Sequence, residues 1–261
     1  MKFLNPPIPE VKPEDIFERC VENYRDLGKK KRLLVCKQLV EADSTNYQKL
    51  VPSQIDEFAI SKLPEDVSTD EMKKVYDEKF AKADTVGRKY YDAIMGQVER
   101  GICPICGVRL ASTLDHYLPK AKVPTLSVTP SNLIPACRDC NMDKKTDMIL
   151  TPDATPVHLY YDRLPEGAWL HVHVGDNLEI TYYVSCPESW DKSLRGRMEG
   201  HLDIYHLHGL YSAHAATEIE DKKRMWKKLI SLSLMRRLLK LYGIFSICFQ
   251  MAMGKRQSRD Y

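Results

Sequence analysis

Four cysteines form the most specific pattern in the chain. Cys103 and Cys106 are separated by two residues, as are Cys137 and Cys140, and the second pair follows about thirty residues after the first. Two such pairs are typical of a tetrahedral zinc site with four thiolate ligands. The alternative, two unrelated pairs of buried or redox cysteines, is disfavoured in a chain without a secretory signal. Since four protein ligands leave no open position, the predicted Zn²⁺ is structural rather than catalytic.

Polar residues that can take part in catalysis lie between the cysteine pairs. Residues 112–118 have the composition of a short β-strand that contains Asp115 and His116. Residues 133–136 are predicted to form the returning partner strand, directly after Asn132. The two strands would therefore bring an aspartate, a histidine and an asparagine to one place.

A helix is predicted to follow the second cysteine pair, over residues 139–148. Asn141 would lie in its first turn, and Lys144 and Lys145 one turn further on, because an α-helix has about 3.6 residues per turn. Two strands and a helix thus frame one histidine and two asparagines.

The segments LDHYLPK, SNLIPAC and CRDCNMDKK resemble the HNH endonuclease family. The ββα-metal motif of that family is often embedded in a four-cysteine zinc frame, and its elements occur here in the expected order, over about a sixth of the chain. The third motif position is Asn141, where some members have histidine, so the chain has the HNN variant. An asparagine offers an oxygen ligand, which suits Mg²⁺ or Mn²⁺ better than a soft metal.

The resemblance implies metal-dependent hydrolysis of phosphodiester bonds. In that mechanism His116 is the general base, because a histidine can deprotonate water near neutral pH. Asp115 and Asn141 would hold one divalent ion, which acts as a Lewis acid on the scissile phosphate. Asn132 would fix the loop and orient the His116 ring. The alternative is a non-catalytic zinc ribbon that only binds nucleic acid, but such a binder has no need of a base beside two hard-metal ligands.

Composition sets wider limits on function. The chain has 261 residues, 43% of them hydrophobic, and a formal net charge of +3 with a pI near 8.3. This mild charge permits nucleic-acid binding without arguing for it, so the predicted function rests on the motif. Eight cysteines, four of them assigned to metal, indicate a reducing compartment. Since no apolar run reaches ~18 residues, we expect a cytoplasmic protein that does not enter the membrane.

Residues 1–100 are predicted to be helical. Apolar residues recur at helical spacing from Pro13 until Gly28, which is expected to end the first helix, and a second apolar face covers residues 33–40. Ser68 and Glu71 form a capping-box pattern, and a last helix is expected over residues 84–100. The near balance of acidic and basic residues favours a scaffold or a protein-docking region over a nucleic-acid clamp.

Residues 151–261 are predicted to contain a β-hairpin and further helices. The strands cover residues 169–174 and 178–184, with Gly175 opening the turn. His171 and His173 share one strand face, which we interpret as solvated because no carboxylates accompany them. A helix over residues 190–210 precedes a basic, amphipathic stretch over residues 222–240.

The basic stretch allows three interpretations: a helix that follows phosphates, a core helix with a solvated basic face, or a helix on a membrane surface. Candidate nucleic-acid contacts are Lys144, Lys145, Lys222, Lys223, Lys227 and Lys228. The apolar end at residues 241–253 requires a cover from this chain or another.

Together these patterns predict a mainly α fold with a small ββα-metal module and a β-hairpin, α+β overall. Three regions are expected: a helical scaffold (1–100), the zinc-framed nuclease module (101–150) and a hairpin with basic and apolar helices (151–261). The order of these regions also resembles, more weakly, the HNH subunit of Septu-type and retron-linked bacterial anti-phage systems, which implies an ATPase partner. The expected substrate is nucleic acid, with DNA favoured and RNA such as tRNA left open.

Overall fold

The structure is a computed structural model that describes residues 1–7, 10–144, 151, 153–176 and 179–231, with side chains up to residue 227. Its helices and strands are α1 (Pro13–Glu22), α2 (Leu27–Leu34), α3 (Lys37–Leu50), α4 (Thr69–Val75), α5 (Arg88–Met95), β1 (Thr113–His116), β2 (Leu133–Ala136), α6 (Arg138–Asp143), β3 (Leu170–Val174), β4 (Ile180–Val184), α7 (Lys192–Ile204) and α8 (Leu207–Ser231). A π-helical turn, Tyr76–Phe80, continues α4. The mainly helical α+β fold predicted from the sequence is confirmed.

The described residues contain two small sheets of two strands each. β1 pairs with β2, and β3 pairs with β4. The predicted partner strand at residues 133–136 and the predicted pairing of the two hairpin strands are therefore confirmed, whereas residues 177 and 178 lie outside the described residues. Helix α6 begins one residue before the predicted start, and the predicted continuation through residues 145–148 lies outside the described part of the chain.

The chain divides into two compact units. The first comprises Met1–His171 and Tyr182–His208, and the second comprises Val172–Thr181 and the chain from Gly209 onward. The first unit contains the N-terminal helices, the ββα module and α7, whereas most of α8 belongs to the second. The predicted division into three functional regions stays a prediction.

The main core of the first unit joins the N-terminal helices to the ββα module. Buried apolar side chains from α1 to α5 pack in one cluster with Leu114 of β1, Leu133 of β2 and Val128 of the loop that connects these strands. A smaller cluster forms around Trp190 and Met198 at α7. The helical region therefore supports the module directly.

Three sequence expectations for the N-terminal helices were wrong. Gly28 does not end a helix but lies in α2, because the Asp26 carboxylate caps that helix by accepting a hydrogen bond from the Lys29 N–H at 3.0 Å. The helix expected across residues 33–40 is interrupted between α2 and α3. The helix expected over residues 84–100 covers only α5, since Asp84 and Arg100 have φ of 59° and 55°, which an α-helix cannot contain.

The start of α4 is as predicted. The Ser68 side chain accepts a hydrogen bond from the Glu71 N–H, and the Glu71 carboxylate accepts one from the Ser68 N–H, which completes the capping box. Within the described residues, no helix combines the length and apolar character that a membrane crossing requires.

Candidate active site

The four predicted zinc ligands converge at one point. The sulfur atoms of Cys103, Cys106, Cys137 and Cys140 all lie within 4.8 Å of one another, and the four residues are buried. Sulfurs bound to one tetrahedral zinc are about 3.8 Å apart, given Zn–S bonds of about 2.3 Å. The cluster therefore fits a structural zinc ion in both donor type and spacing.

Backbone geometry around the sulfurs suits negatively charged thiolates. The Arg109 N–H donates to the Cys106 sulfur at 3.5 Å, and the Cys140 N–H donates to the Cys137 sulfur at 3.4 Å. Gly107 has φ of 69°, which lets the first loop turn back tightly without a side-chain clash. Hydrogen bonding with Cys103 lowers the pKa of Cys106 and raises the pKa of Cys140. A bound cation would relieve this competition between neighbouring thiols.

The β1–β2 ladder places two of the predicted catalytic residues at the end of β1. Asp115 pairs with Ile134, and His116 pairs with Leu133. Both Asp115 and His116 are buried. Asn132 immediately precedes β2, and its backbone carbonyl accepts a hydrogen bond from the Tyr117 N–H at 2.8 Å.

The ring of His116 is held by a backbone carbonyl. Its Nε2 lies 2.9 Å from the carbonyl oxygen of Ser127. Because a carbonyl oxygen can only accept, Nε2 must carry the hydrogen. In the neutral ring Nδ1 then has a lone pair and can accept a hydrogen bond or a proton. Burial, followed by the positive charge of Lys120, lowers the pKa of His116 to about 3. The imidazole is thus neutral, the form that can take a proton from water.

Helix α3 fixes the loop that supplies the Ser127 carbonyl. The Asp43 carboxylate accepts a hydrogen bond from the Thr125 hydroxyl at 2.5 Å, and the hydroxyls of Ser44 and Thr129 are 2.8 Å apart. These contacts flank Ser127 on both sides. The N-terminal region therefore determines the orientation of the His116 ring through this loop.

Asn132 is completely buried and ties two parts of the same loop together. Its Oδ1 accepts from the Leu118 N–H at 2.8 Å, while its Nδ2 donates to the carbonyl oxygens of Leu118 at 3.0 Å and Leu126 at 3.3 Å. The role expected for Asn132, fixing the loop, agrees with these contacts. The direct partner of the His116 ring is Ser127, however, so Asn132 acts on the ring only through the loop.

Asn141 lies in α6 with its side chain against β1. Its Nδ2 is 3.0 Å from the Thr113 hydroxyl and 3.5 Å from the Leu114 carbonyl oxygen. Since that carbonyl can only accept, the amide nitrogen must face the strand. The amide oxygen of this half-buried residue therefore takes no part in these contacts with the strand, and it is the atom of Asn141 that could bind a metal ion.

Lys144 forms a buried ion pair with Asp115. Its ammonium group is 2.9 Å from Asp115 Oδ2 and also donates to the backbone carbonyl of His116. Burial raises the pKa of Asp115, and Lys144 opposes that shift. Lys144 is a candidate phosphate contact from the sequence. In the structure, however, its ammonium group faces the protein interior.

The other candidate nucleic-acid contacts are distant in sequence or outside the described residues. Lys145 lies outside them, as does the side chain of Lys228. In α8, Lys222 pairs with Glu218 at 3.1 Å and Lys223 with Glu220 at 2.7 Å. Lys227 is exposed. The basic stretch is thus partly neutralised by acidic residues one turn earlier in the same helix.

Two residues that the sequence did not indicate contact the candidate site. Tyr76 of the π-helical turn packs edge-on against His116, with ring centroids 4.5 Å apart. Ser127 contributes its backbone carbonyl, which has no side-chain signature. A π-helical turn inside an α-helix is often found at functional sites, but no sequence pattern announces it.

Comparison with known proteins agrees with the geometry of the module. Residues 103–147 match the model of the family described as HNH endonuclease. Over 157 residues, 58% of the chain, the protein is 29% identical to Protein ea31 of Escherichia phage lambda. The aligned region covers 52% of that relative, so the chain spans about half of its length. No solved structure matches the chain.

Proposed function

We propose that this chain is a metal-dependent endonuclease that hydrolyses phosphodiester bonds of nucleic acid. The observation that carries the proposal is the His116 ring, which donates from Nε2 to the Ser127 carbonyl and keeps Nδ1 as an acceptor. His116 directly follows Asp115 at the end of β1, within a ββα module that matches the HNH endonuclease family. A histidine fixed in one tautomer is what a general base for water needs.

In the proposed reaction, His116 Nδ1 takes a proton from a water molecule. The water oxygen forms a bond to phosphorus, and the bond between phosphorus and the leaving sugar oxygen breaks. The leaving oxygen then takes a proton from solvent and His116 returns its proton to solvent, so the overall reaction consumes one water molecule. Burial disfavours protonated His116, but a bound phosphate would bring negative charge beside the ring and counteract that effect.

Asp115 and Asn141 are the proposed ligands of the catalytic ion. Carboxylate and amide oxygens suit Mg²⁺ or Mn²⁺, and Mg²⁺ sites commonly use one or two carboxylates together with substrate phosphate and water. Such an ion would supply Lewis-acid stabilisation of the scissile phosphate and the leaving oxygen. The amide oxygen of Asn141, which takes no part in the contacts with β1, supports this assignment. The ion pair between Asp115 and Lys144 means that Lys144 must share the carboxylate with the ion or release it.

DNA is the proposed substrate, with RNA, including tRNA, as the second choice. The support is the family match, since hydrolysis by this mechanism needs no 2′-hydroxyl. The lysines of α8 are proposed to contact phosphates only as a secondary surface, because two of them already pair with glutamates.

We further propose that the helical region docks a protein partner, an ATPase of a Septu-type or retron-linked anti-phage system in the bacterial cytoplasm. The support is the order of a helical scaffold followed by a nuclease module, with little net charge in the scaffold. Purification of the tagged chain from its native host, followed by identification of the proteins that accompany it, tests this proposal.

A non-catalytic zinc-binding module for nucleic acid is the alternative. The observation that favours it is the Lys144–Asp115 pair, which neutralises the carboxylate that a catalytic ion would use. In that case the chain would not cleave nucleic acid whether or not divalent metal ions are added. Its binding to nucleic acid would survive EDTA treatment that leaves the zinc in place.

A cleavage assay separates the two functions. Wild type and His116→Ala are incubated with plasmid DNA, single-stranded DNA and total RNA, in Mg²⁺, Mn²⁺ or EDTA. We expect metal-dependent cleavage by the wild type and a loss of at least about 100-fold in the variant, as is usual when a general base is removed. His173→Ala, which removes an exposed histidine of β3, is the matched control. Equal cleavage by His116→Ala and wild type would contradict the mechanism.

A further inference from the structure

A lysine of the β1–β2 loop approaches the same tyrosine ring that packs on His116. The Lys120 ammonium lies 4.4 Å from the centroid of the Tyr76 ring, and the His116 ring lies 4.5 Å from that centroid. Asp77, the next residue of the π-helical turn, accepts a hydrogen bond from Lys120 at 2.5 Å. One tyrosine thus connects the candidate general base to a cation that is held by a carboxylate.

The π-helical turn explains why the helical region reaches this position. The Ala81 N–H donates to the Tyr76 carbonyl at 2.8 Å, which closes a turn one residue wider than that of an α-helix. Tyr76 is buried and stacks on Phe80, with ring centroids 5.5 Å apart, whereas Asp77 is at the surface. The tyrosine is therefore fixed in the core, and the carboxylate next to it faces solvent.

Lys120 differs from Lys144 in its exposure to solvent. The Lys120 side chain is 23% exposed and its partner Asp77 is 53% exposed, while the side chains of Lys144 and Asp115 are both 6% exposed. An ion pair near the surface contributes little to stability, so another anion can replace Asp77 at small cost. Lys144, in contrast, is held in the interior by two oxygen atoms.

A phosphate group is the anion that suits this lysine. Lysine binds phosphate as a compact charge on a flexible four-carbon stem, and charge-assisted hydrogen bonds to phosphate are stronger than neutral ones. Lys120 and His116 both lie beside the Tyr76 ring, so the flexible lysine would be within reach of the non-bridging oxygens of a phosphodiester that water attacks at His116. These oxygens are the atoms on which negative charge accumulates when water attacks.

We propose that Lys120 binds a non-bridging oxygen of the scissile phosphate and that Asp77 is the partner which the substrate displaces. The proposal rests on the nuclease function proposed above and adds a substrate-binding residue to it. Lys120 forms and breaks no covalent bond in this role. The π-helical turn of the N-terminal region then belongs to the substrate site, because it supplies both the ring beneath Lys120 and the carboxylate that holds it.

A purely structural ion pair would leave different traces. If Lys120 and Asp77 only tether the loop to the helical region, their removal would change thermal stability and leave the turnover number and the binding of nucleic acid as they are. A substrate-binding lysine has the opposite signature, since a surface pair contributes little to folding.

The test compares Lys120→Met and Asp77→Asn with Lys73→Met and Asp70→Asn. Lys73 and Asp70 form a similar lysine–aspartate pair, at 2.9 Å, on α4 one turn before Tyr76. In the plasmid assay with Mn²⁺ we expect Lys120→Met to lower kcat by about 100-fold, as removal of one oxyanion contact does in other enzymes. The two control variants should keep the wild-type kcat, and zinc content should be unchanged in all four.

Binding is measured separately, in a His116→Ala background with Mn²⁺, so that it does not depend on cleavage. The probes are a labelled 30-base-pair DNA duplex and a labelled single-stranded RNA. We expect Lys120→Met to reduce the slope of log K against log salt concentration by about 0.9 for the duplex, which corresponds to one lost phosphate contact. Asp77→Asn should increase affinity several-fold at low salt, because the competing carboxylate is gone.

The two proposals fail in distinguishable ways. If His116→Ala cleaves as fast as wild type, the nuclease mechanism is wrong, and the binding slopes still report on Lys120. If His116→Ala is inactive while Lys120→Met keeps both the wild-type kcat and the wild-type salt slope, Lys120 is only a tether. Absence of binding to both probes would likewise overturn the role of Lys120.

Discussion

The Lys144 ammonium lies 2.9 Å from Asp115 Oδ2, inside the protein, on the carboxylate that we propose as a ligand of the divalent cation. Two charges buried together depend on each other, because either one alone is strongly destabilising in a medium of low polarity. If Asp115 binds the proposed ion, lysine and metal ion are alternative or shared partners of one carboxylate. The stability of the module and its metal affinity should be linked through Lys144.

Lys144→Met tests this link. The variant leaves Asp115 buried without a counter-charge, so we expect the free energy of unfolding in EDTA to fall by about 3–5 kcal/mol. Mn²⁺ should restore much of this loss, because the ion now has the carboxylate to itself. Thermal unfolding with and without Mn²⁺, together with calorimetric titration of Mn²⁺, measures both effects.

The matched control is Arg197→Met. Arg197 and Asp162 form an equally buried ion pair at 2.6 Å, but that pair is held at α7 and is not assigned to a metal. We expect this variant to lose similar stability in EDTA and to gain nothing from Mn²⁺. Equal rescue of both variants would show that Mn²⁺ stabilises the protein elsewhere.

Cys137→Ser should disrupt the module through its zinc site. The substitution removes one of four ligands, and a structural zinc contributes several kcal/mol or more to folding. Cys137 also precedes α6, where its sulfur accepts a hydrogen bond from the Cys140 N–H, so the start of that helix should weaken as well.

Elemental analysis for zinc and thermal unfolding provide the measurements for Cys137→Ser. Cys186→Ser is the control, since Cys186 is a half-buried free thiol outside the cluster. A Cys137→Ser protein with one full equivalent of zinc and wild-type stability would rule out the four-cysteine site.

Asn132→Asp tests whether the loop positions His116. The substitution keeps the shape of the side chain but replaces two N–H donors by an acceptor that faces the carbonyl oxygens of Leu118 and Leu126. Each buried group left without a partner costs about 1–3 kcal/mol, so stability should fall. Because Leu126 precedes Ser127, we also expect a lower kcat with little change in KM.

Asn141→Asp makes the same chemical change at a half-buried position where an oxygen ligand is wanted. We expect Asn141→Asp to retain Mn²⁺ binding, whereas Asn141→Ala should weaken it; wild-type Mn²⁺ binding by Asn141→Ala would exclude Asn141 as a ligand. Wild-type kcat in Asn132→Asp would mean that the loop holds the Ser127 carbonyl without help from Asn132.

Local patterns allowed prediction of the ββα module, whereas the surroundings of His116 depend on long-range packing. The cysteine spacing predicted the four-cysteine cluster, and strand β2 occupies the predicted residues because a short apolar run between a loop and a cysteine pair leaves little choice. Ser127 contributes only a carbonyl, and Tyr76 comes from a helix about forty residues earlier in the chain. Neither contact produces a periodic pattern in the amino-acid sequence.

The helix boundaries predicted around α5 were wrong for a related reason. The positive φ of Asp84 depends on how the chain returns from the π-helical turn to α5, which no local propensity encodes. Gly87 follows that turn, and a Cβ at this position would lie 2.5 Å from the Lys79 carbonyl oxygen. A glycine is thus required because the chain at residue 87 approaches the backbone of the π-helical turn closely. From the sequence alone, a glycine at this position indicates only a break in a helix.

His158 should make the protein sensitive to acid. Its Nε2 is 2.8 Å from the Tyr47 hydroxyl oxygen, and its Nδ1 accepts the Tyr160 N–H at 3.3 Å. Protonation would put a hydrogen on Nδ1 against another N–H group. Burial, followed by the positive charges of Lys144 and Arg197, lowers the pKa of His158 well below 6.5.

The sign of the pH effect follows from this shift. The unfolded chain, with a histidine pKa near 6.5, binds more protons than the folded protein below that pH. His158 therefore stabilises the fold fully above about pH 6.5 and progressively less as the pH falls, with a slope of up to about 1.4 kcal/mol per pH unit.

His158→Gln cannot titrate, so its free energy of unfolding should fall less steeply between pH 6.5 and 5. Urea unfolding at several pH values measures the two slopes; His173→Ala, which changes an exposed histidine, should keep the wild-type slope. Parallel curves for His158→Gln and wild type would show that His158 is not responsible.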